Sequence, residues 1–362
     1  MALQAVLFAA GPAQRLLPLT ENRPKAMLLV GGKPLLQHAA EALKATGVRR
    51  LVVVVGKNAE KIQSFLQDGA AFGVEVAYVH QPEPTGTLEA ARLALADLDA
   101  SQPVLFLPGH GYVTAALLKP LTADGTSLLV ATARQAHSQG LPAAKGDRLS
   151  SLRHGMPQVG SDRVSTNVLR AEPDLLAAIA KGQFAGQKEL DLALGSWAAE
   201  GHAVRLAEAQ VPWRTLVDPW DVLALNEAVL SQTLTGGTGI RLGANTTVAQ
   251  TAVLVPPVSV GDGCSIGDFA VVGPFVSIRN TTVVGSHCEV RRSILNNNVL
   301  LDSHSVLRSG ILDDGAQAGP AFVGLERIGP TGPQGCIVGR DATVAAGRVL
   351  AGGTVVPPEG RA

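Results

Sequence analysis

The sequence predicts two folded parts of different class, a doubly wound α/β domain with a mostly parallel sheet and, after it, a left-handed parallel β-helix of hexapeptide repeats. Three observations carry this reading. Short apolar runs alternate with amphipathic stretches through the first two-thirds of the chain, an aliphatic residue returns every sixth position in the last third, and 40 glycines accompany only 4% aromatic residues. At 362 residues the chain exceeds the size at which one hydrophobic core usually stops growing. Two domains are expected, over residues 1–232 and 233–362.

In the first part, QAVLFA at residues 4–9 is an apolar run that ends at Ala10-Gly11 and Pro12, a strand followed by a turn. Further apolar runs at 51–55, 74–79, 104–107 and 127–131 alternate with amphipathic stretches at 35–45 and 87–96. Strand and helix in alternation imply parallel pairing with helices on both faces. Ligands in such sheets bind beyond the carboxyl ends of the strands, so the loops at Gly11, Gln81 and Gly109 are expected around one cleft.

In the second part, Val248, Leu254, Val260, Ile266, Val272, Ile278, Val284 and Val290 fall on a strict six-residue beat. A small or medium side chain lies two residues before each, from Thr246 to Cys288, and Gly follows directly at Gly261, Gly267, Gly273 and Gly285. Each six-residue unit reads as one side of a triangular coil, with aliphatic columns inside and glycine supplying backbone freedom at the corners. Eight consecutive matches argue against a β-sandwich with chance periodicity. The phase slips near Asn296, Asn297 and Asn298, which suit a corner or an external loop, and the column is expected to continue at Leu300, Val306 and Leu312. After AFVGLERIGPTGPQG the beat resumes at Val338, Val344, Leu350 and Val356.

Composition narrows the partners. Thirty Lys plus Arg balance thirty Asp plus Glu, so there is no electrostatic footprint for nucleic acid or anionic lipid, and a small-molecule or protein partner is favoured. The segment MALQAVLFAAG has no basic n-region, and no later stretch is apolar for long enough to cross a bilayer; no membrane partner and a cytoplasmic location are expected. Cys264, Cys288 and Cys336 are odd in number and form no C-x-x-C pair, which makes them small core residues rather than disulfide or zinc ligands.

The first loop carries a family resemblance. AAGPAQRLLPLTENRPKAMLLVGGKPLLQH is similar to the signature of sugar-1-phosphate nucleotidylyltransferases, L-x-A-G-x-G-T-R-L-x-P-L-T followed by P-K-x-L-L-P-V-x-G-K-P. Chemistry at the α-phosphorus of a nucleoside triphosphate needs backbone N–H groups close to the phosphates, an arginine to spread charge over the leaving pyrophosphate, and a lysine nearby. By this resemblance Arg15 and Lys25 are the catalytic cations, and Ala10 and Gly11 approach the nucleotide. Ala13 stands where the family has its second Gly, and Gln14 where it has Thr; a Cβ at 13 is expected to narrow the approach and spoil a positive-φ turn. QPEPTGTLEAA resembles the Q-x-x-x-x-G-T-A-x-A element, which assigns Gln81, Gly86 and Thr87 to nucleotide binding, Gln81 reading the base edge and Gly86 letting the base lie against backbone. VPWRTLVDPWDVLALNEAVL resembles the W-x-D segment that closes the site, with Pro219, Trp220, Asp221 and Asn226 in place, and Asn167 matches the asparagine that contacts the sugar.

The resemblance also exposes a gap. The family holds Mg²⁺, expected as its cofactor, with an Asp in a G-D element and a second in the W-x-D element, because Mg²⁺ takes hard oxygen ligands. Here those positions are His110 and Thr215, and Asp218, three residues beyond Thr215, is an acid offered as a substitute. The sugar-phosphate E-K-P element has no counterpart; the stretch offers Arg148, Arg153 and His154. Two functions stay open. One is nucleotidyl transfer, NTP plus sugar-1-phosphate giving NDP-sugar and pyrophosphate, with an altered metal arrangement. The other is a catalytically silent homologue that binds a nucleotide or sugar nucleotide as a regulatory or scaffold subunit. The repeat region matches the acetyltransferase half of the bifunctional glucosamine-1-phosphate enzymes in rhythm only. Ser303 stands at the base-histidine position with His304 beside it, Val306 at the tyrosine, and Gln317 to Phe322 over the Asn-x-Gly-Ala-Gly-Thr run, so acetyl transfer is not expected. Flat helix faces imply a homotrimer.

Overall fold

The computed structural model describes residues 3–134, 137–329 and 332–362. The chain divides into two compact units that interleave in sequence: Met1–Ala13, Asn22–Met27 and Leu35–Thr215 form the first, and Gln14–Glu21, Leu28–Pro34 and Leu216–Ala362 the second.

The first unit is built on a nine-stranded sheet in the order Glu75–His80, Arg50–Val55, Gln4–Ala9, Val104–Pro108, Arg163–Ala171, Ser127–Thr132, Arg205–Glu208, Arg148–Gly155, Gln139–Lys145. The four strands at its start pair in parallel, and Arg163–Ala171 joins them antiparallel, so the sheet is mixed. Because successive strand residues face opposite sides, Ala5, Leu7, Leu51 and Val53 enter one core while Val6, Val52, Val54 and Phe106 enter another. Helix Leu35–Ala45 covers the first face with Leu36, Ala39, Ala40 and Leu43 and ends where Gly47 takes φ 83°. Helices Thr87–Ala94, Pro173–Ala180 and Leu190–Ala199 cover the second. Strand order reverses between Gln4–Ala9 and Val104–Pro108, and that reversal opens a crevice at the strands' carboxyl ends.

The second unit is a left-handed β-helix of three parallel sheets, preceded by the helix Asp221–Thr233. The tight hairpin Leu29–Val30 to Lys33–Pro34 belongs to it; Gly31 and Gly32 turn it with φ 57° and 79°, as a two-residue hairpin demands. Asn226, buried in the helix, accepts from the Gly31 N–H at 2.8 Å and from the Ser277 hydroxyl at 2.7 Å, tying hairpin, helix and coil together.

Coil length explains the phase. Val258 pairs with Val276, a step of 18 residues, whereas Ser277 pairs with Ile294 and Ile294 with Ile311, steps of 17. One side has lost a residue, and the internal column runs Val290, Leu295, Leu301, Leu307, Leu312. The column expected at Leu300 and Val306 is therefore corrected by one position: Leu301 and Leu307 are fully buried, and Leu300 is 38% exposed, since a one-residue shift turns a strand side chain to the other face. The shortening also comes before the asparagine run, at the Arg292 corner; Asn298 occupies the next corner and Asn296 is buried, donating to Asp313 at 2.6 Å. A step of 26 from Ile311 to Ile337 accommodates the external hairpin Arg327–Gly329 to Gly332–Gln334. The beat at Val338, Val344, Leu350 and Val356 is internal.

The corner glycines are corrected as well. Among Gly261, Gly267, Gly273 and Gly285 only Gly273 has a positive φ. At Gly285 an added Cβ would lie 2.5 Å from the Ser303 N of the next coil, so glycine there supplies room between coils. The left-handed corners are held mostly by other residues, including Phe269, His287 and His304. All three cysteines are buried and free, as the sequence implied.

Candidate functional site

A cavity of about 370 Å³ opens at the sheet's reversal point in the first unit. Ala10, Gly11, Lys25, Gln81, Gly86, Thr87, His110 and Asn167, which are scattered along 158 residues of sequence, all line it. Arg15 does not line it; it lies in the Gln14–Glu21 segment that groups with the second unit.

One end of the cavity is formed by the turn after the first strand. Gly11 leaves open space where a side chain would stand, and neither Gly11 nor Ala13 takes a positive φ. The strain expected from a Cβ at Ala13 is thus absent, because the turn is built without a left-handed residue there.

Elsewhere on the lining, Gln81 is 6% exposed and its orientation is set by two hydrogen bonds. Its Nε2 donates to Gly86 O and Thr85 Oγ1, each at 3.1 Å; turned over, the amide would set its oxygen against the Gly86 carbonyl. Among the described residues no donor reaches its Oε1. Gly86 itself has φ 116°, and a Cβ there would lie 2.2 Å from Lys188 O, so only glycine fits. The Thr87 hydroxyl, assigned to the nucleotide, is engaged within the protein: it donates to Glu189 at 2.7 Å and accepts from Leu190 N–H at 2.8 Å.

Asn167 reaches the cavity through a bulge. The pairing of Arg163–Ala171 with Ser127–Thr132 shifts between Ser165 and Leu169, and Asn167 sits there with φ 57°, its N–H donating to Ser165 Oγ at 3.1 Å.

Two acids that the sequence reading passed over, Glu189 and Asp191, line the same cavity. Asp191 is 2% exposed in the first turn of helix Leu190–Ala199, and both its oxygens lie 3.2 Å from His154 Nε2. That contact raises the His154 pKa, against the opposing effect of burial. Gly140 makes room, since a Cβ there would lie 2.5 Å from Asp191 Oδ2. The signal was present: Asp191 is the one charge inside an otherwise apolar helix, LDLALGSWAA. Of the three basic residues offered for the sugar phosphate, His154 contacts a lining group, Asp191, whereas Arg148 and Arg153 are exposed on the strand Arg148–Gly155.

The two positions matching the family's metal ligands do meet. Gly111 bridges Thr215 in antiparallel fashion, and Tyr112 N donates to Arg214 O at 3.3 Å, which brings His110 and Thr215 to neighbouring places. Their chemistry does not suit Mg²⁺. Burial drives the His110 pKa down to about 3, with the charges of Lys25 and His137 adding to the effect, so the imidazole is neutral. A neutral imidazole and a threonine hydroxyl are poor ligands for a hard cation. Among the described residues no group of three or more His, Cys, Asp or Glu side chains is placed to hold a metal ion. Asp218, the possible substitute, accepts from the N–H groups of Trp220 and Asp221 at 2.8 and 3.3 Å and shapes its own turn in the second unit. Asp221 likewise accepts from Val217 and Asp218 N–H. His304, beside the acetyltransferase base position, is an exposed corner residue stacked on His287 with ring centroids 4.9 Å apart.

Fold and cleft together are those of a nucleotidyltransferase. The family model described as Nucleotidyl transferase matches residues 4–133, and the one described as GMPPB C-terminal domain matches residues 254–360. An N-acetylmuramate alpha-1-phosphate uridylyltransferase from Neisseria meningitidis serogroup B is 30% identical over 58% of this chain and 97% of its own. A glucose-1-phosphate thymidylyltransferase from Streptomyces antibioticus is 23% identical over 94% of this chain and 93% of its own. In fold the chain is similar to a Bacillus anthracis structure described as a glucose-1-phosphate thymidylyltransferase in complex with sucrose, with TM-score 0.57 and 18% identity over 65% of this chain and 98% of that one. The chain belongs to the sugar-1-phosphate nucleotidyltransferase family. No described helix is long and apolar enough to cross a membrane.

Proposed function

We propose that the cleft binds a nucleoside triphosphate or an NDP-sugar without a tightly held Mg²⁺, and that the protein is a binding homologue with little or no turnover. The observation that carries this reading is the pairing of Gly111 with Thr215, which puts an imidazole and a hydroxyl, and no carboxylate, at the two family ligand positions, with His110 lining the same cavity as Lys25. Replacing two carboxylates by an imidazole and a hydroxyl removes the metal's charge and, in the same step, the charges that held it. Lys25 then faces the phosphates with no acid competing for it at those two positions. Losing the metal forfeits several kcal/mol of transition-state stabilisation, on the order of a thousandfold in rate, while ground-state binding of a metal-free nucleotide persists.

A second reading is favoured by Glu189 and Asp191. With Asn167 they supply acceptors for sugar hydroxyls, and transfer from NTP to sugar-1-phosphate would proceed slowly with Lys25 facing the phosphates. Pyrophosphate release, measured over a panel of NTPs and sugar-1-phosphates with Mg²⁺ and then Mn²⁺, separates the two. Binding by calorimetry without release supports the first reading; release at family-like rates overturns it. Activity gained by His110→Asp with Thr215→Asp would show that the rest of the site is intact.

We further propose residues 1–232 as the nucleotide-binding domain of a cytoplasmic homotrimer packed along the β-helix. In support, one sheet turns Val253, Val271, Val306, Val323 and Val349 outward in a nearly unbroken column, with Val253 and Val349 more than half exposed. Sedimentation equilibrium giving a monomer would overturn the trimer.

A further inference from the structure

The second unit contains a cavity that the nucleotide reading does not use. It measures about 260 Å³ and is lined by the Gly32 turn, the strand Ile240–Leu242 and coil residues through Asn280. Two guanidinium groups, Arg241 and Arg279, border it. Neither forms an ion pair with a described residue. Their hydrogen bonds go to neutral oxygens: Arg241 Nη2 donates to Gly31 O at 2.6 Å and to Ser259 Oγ at 2.7 Å, Arg241 Nε to Ser259 Oγ at 3.2 Å, and Arg279 Nη1 to Gly32 O.

Among the described residues, that arrangement leaves Arg241 Nη1 and Arg279 Nη2 without acceptors, and Arg279 Nε buried with none. Two like charges are thereby held beside one another, half-buried, each with unfilled donors. Burial depresses the Arg279 pKa, the neighbouring Arg241 charge adds to this, and Asp314 and Asp262 oppose it. Asp262 also lines the cavity, but its Oδ1 accepts from Ala244 N–H at 2.7 Å, and the lining keeps an excess of one positive charge. The space exists because the coil places glycine at 243 and 261, where a Cβ would lie 2.4 Å from Asp262 Oδ1 and 2.3 Å from Asn280 Oδ1.

We propose that this cavity is an anion site for a phosphate group, carried by a small molecule or free as orthophosphate. A tetrahedral oxyanion offers several acceptor oxygens to the forked donors of two guanidinium groups at once, where a monocarboxylate has only two. The volume admits a phosphate or phosphate monoester together with ordered water, and is too small for a nucleotide.

Calorimetric titration with inorganic phosphate tests this on the full chain, in the wild type, Arg279→Gln and Lys25→Ala. The expected result is a phosphate site kept in Lys25→Ala and weakened at least roughly tenfold in Arg279→Gln. The Lys25 arm separates this site from the nucleotide cleft, so the result stands whether or not that cleft binds nucleotide. Parallel arms with glucose 1-phosphate and pyrophosphate distinguish a monoester or diphosphate from the free ion. Because Arg279→Gln could loosen the hairpin turn, hydrogen exchange of the wild type with and without phosphate is the second measurement, with protection expected at 240–244, 259–263 and 279–281. Equal phosphate affinity in wild type and Arg279→Gln, binding only above about 10 mM, or unchanged exchange at those segments would each overturn the proposal, leaving the arginines as anchors of the turn.

Discussion

The cleft and the coils use glycine for opposite reasons, and the contrast says where each part of the molecule tolerates change. Gly86 is glycine because its backbone takes φ 116° against the Lys188 carbonyl; Gly285 has an ordinary φ and is glycine because the next coil presses on it. In the coils one constraint recurs from turn to turn, so a change is felt as packing. In the cleft each residue is held by its own partners, so His110 and Thr215 stand at two neighbouring positions without disturbing the cavity that the other loops make.

The sharpest way to break this contrast is to test the phase of the column. Leu307 is fully buried, and Leu307→Ala is expected to destabilise the protein by about 2–5 kcal/mol, from lost transfer energy and the cavity left behind. Leu300→Ala, on the outer face, should change stability by no more than about 0.5 kcal/mol. Urea unfolding followed by far-UV circular dichroism reads both. Comparable losses at the two positions would mean that the coils do not shorten at Arg292.

The repeat was legible because each coil repeats the same local demand: burial every sixth residue. What the periodicity left out was the length of a side, since a five-residue side differs from a six-residue one only by the absence of a residue, and Leu300-Leu301 offers an aliphatic residue in either phase. The cleft was legible where a motif spans neighbouring residues, as at Gln81 to Thr87. Asp191 escaped although His154 was named, because the two are 37 residues apart and meet only through tertiary packing. The interleaving that places Arg15 with the second unit was hidden for the same reason: backbone neighbours in sequence carry no mark of which core they join.

A smaller effect is expected at Gln81, and it sharpens the claim that cleft residues are held individually. Gln81→Glu preserves size but replaces the two N–H donors by an oxygen facing the Gly86 carbonyl. The loss is expected to be about 1–3 kcal/mol in stability, with nucleotide affinity reduced roughly tenfold or more. Denaturant unfolding and calorimetry on the same variant give the two numbers. Undiminished nucleotide affinity would detach Gln81 from the ligand and leave it a purely internal brace.

A further effect concerns pH, and its sign differs at the two histidines. His154 gains Asp191 in the folded state, so its folded pKa lies above its unfolded value, near 6.5. The stability from that contact is fully present below the unfolded pKa and is lost as pH rises through the folded one. His110 behaves in the opposite direction: with a folded value of about 3, the unfolded chain takes up a proton that the folded chain refuses, so stability falls as pH drops from about 6.5 towards 3. Proton NMR titration of the imidazole signals resolves both groups. His154 should titrate above the ordinary histidine range in the wild type and return to it in Asp191→Asn, while the His110 resonance should stay that of a neutral ring through the whole neutral and mildly acidic range. A His154 titration indifferent to Asp191→Asn would remove the pairing, and a His110 titrating near 6.5 would restore a cation where the cleft is argued to hold a neutral ring.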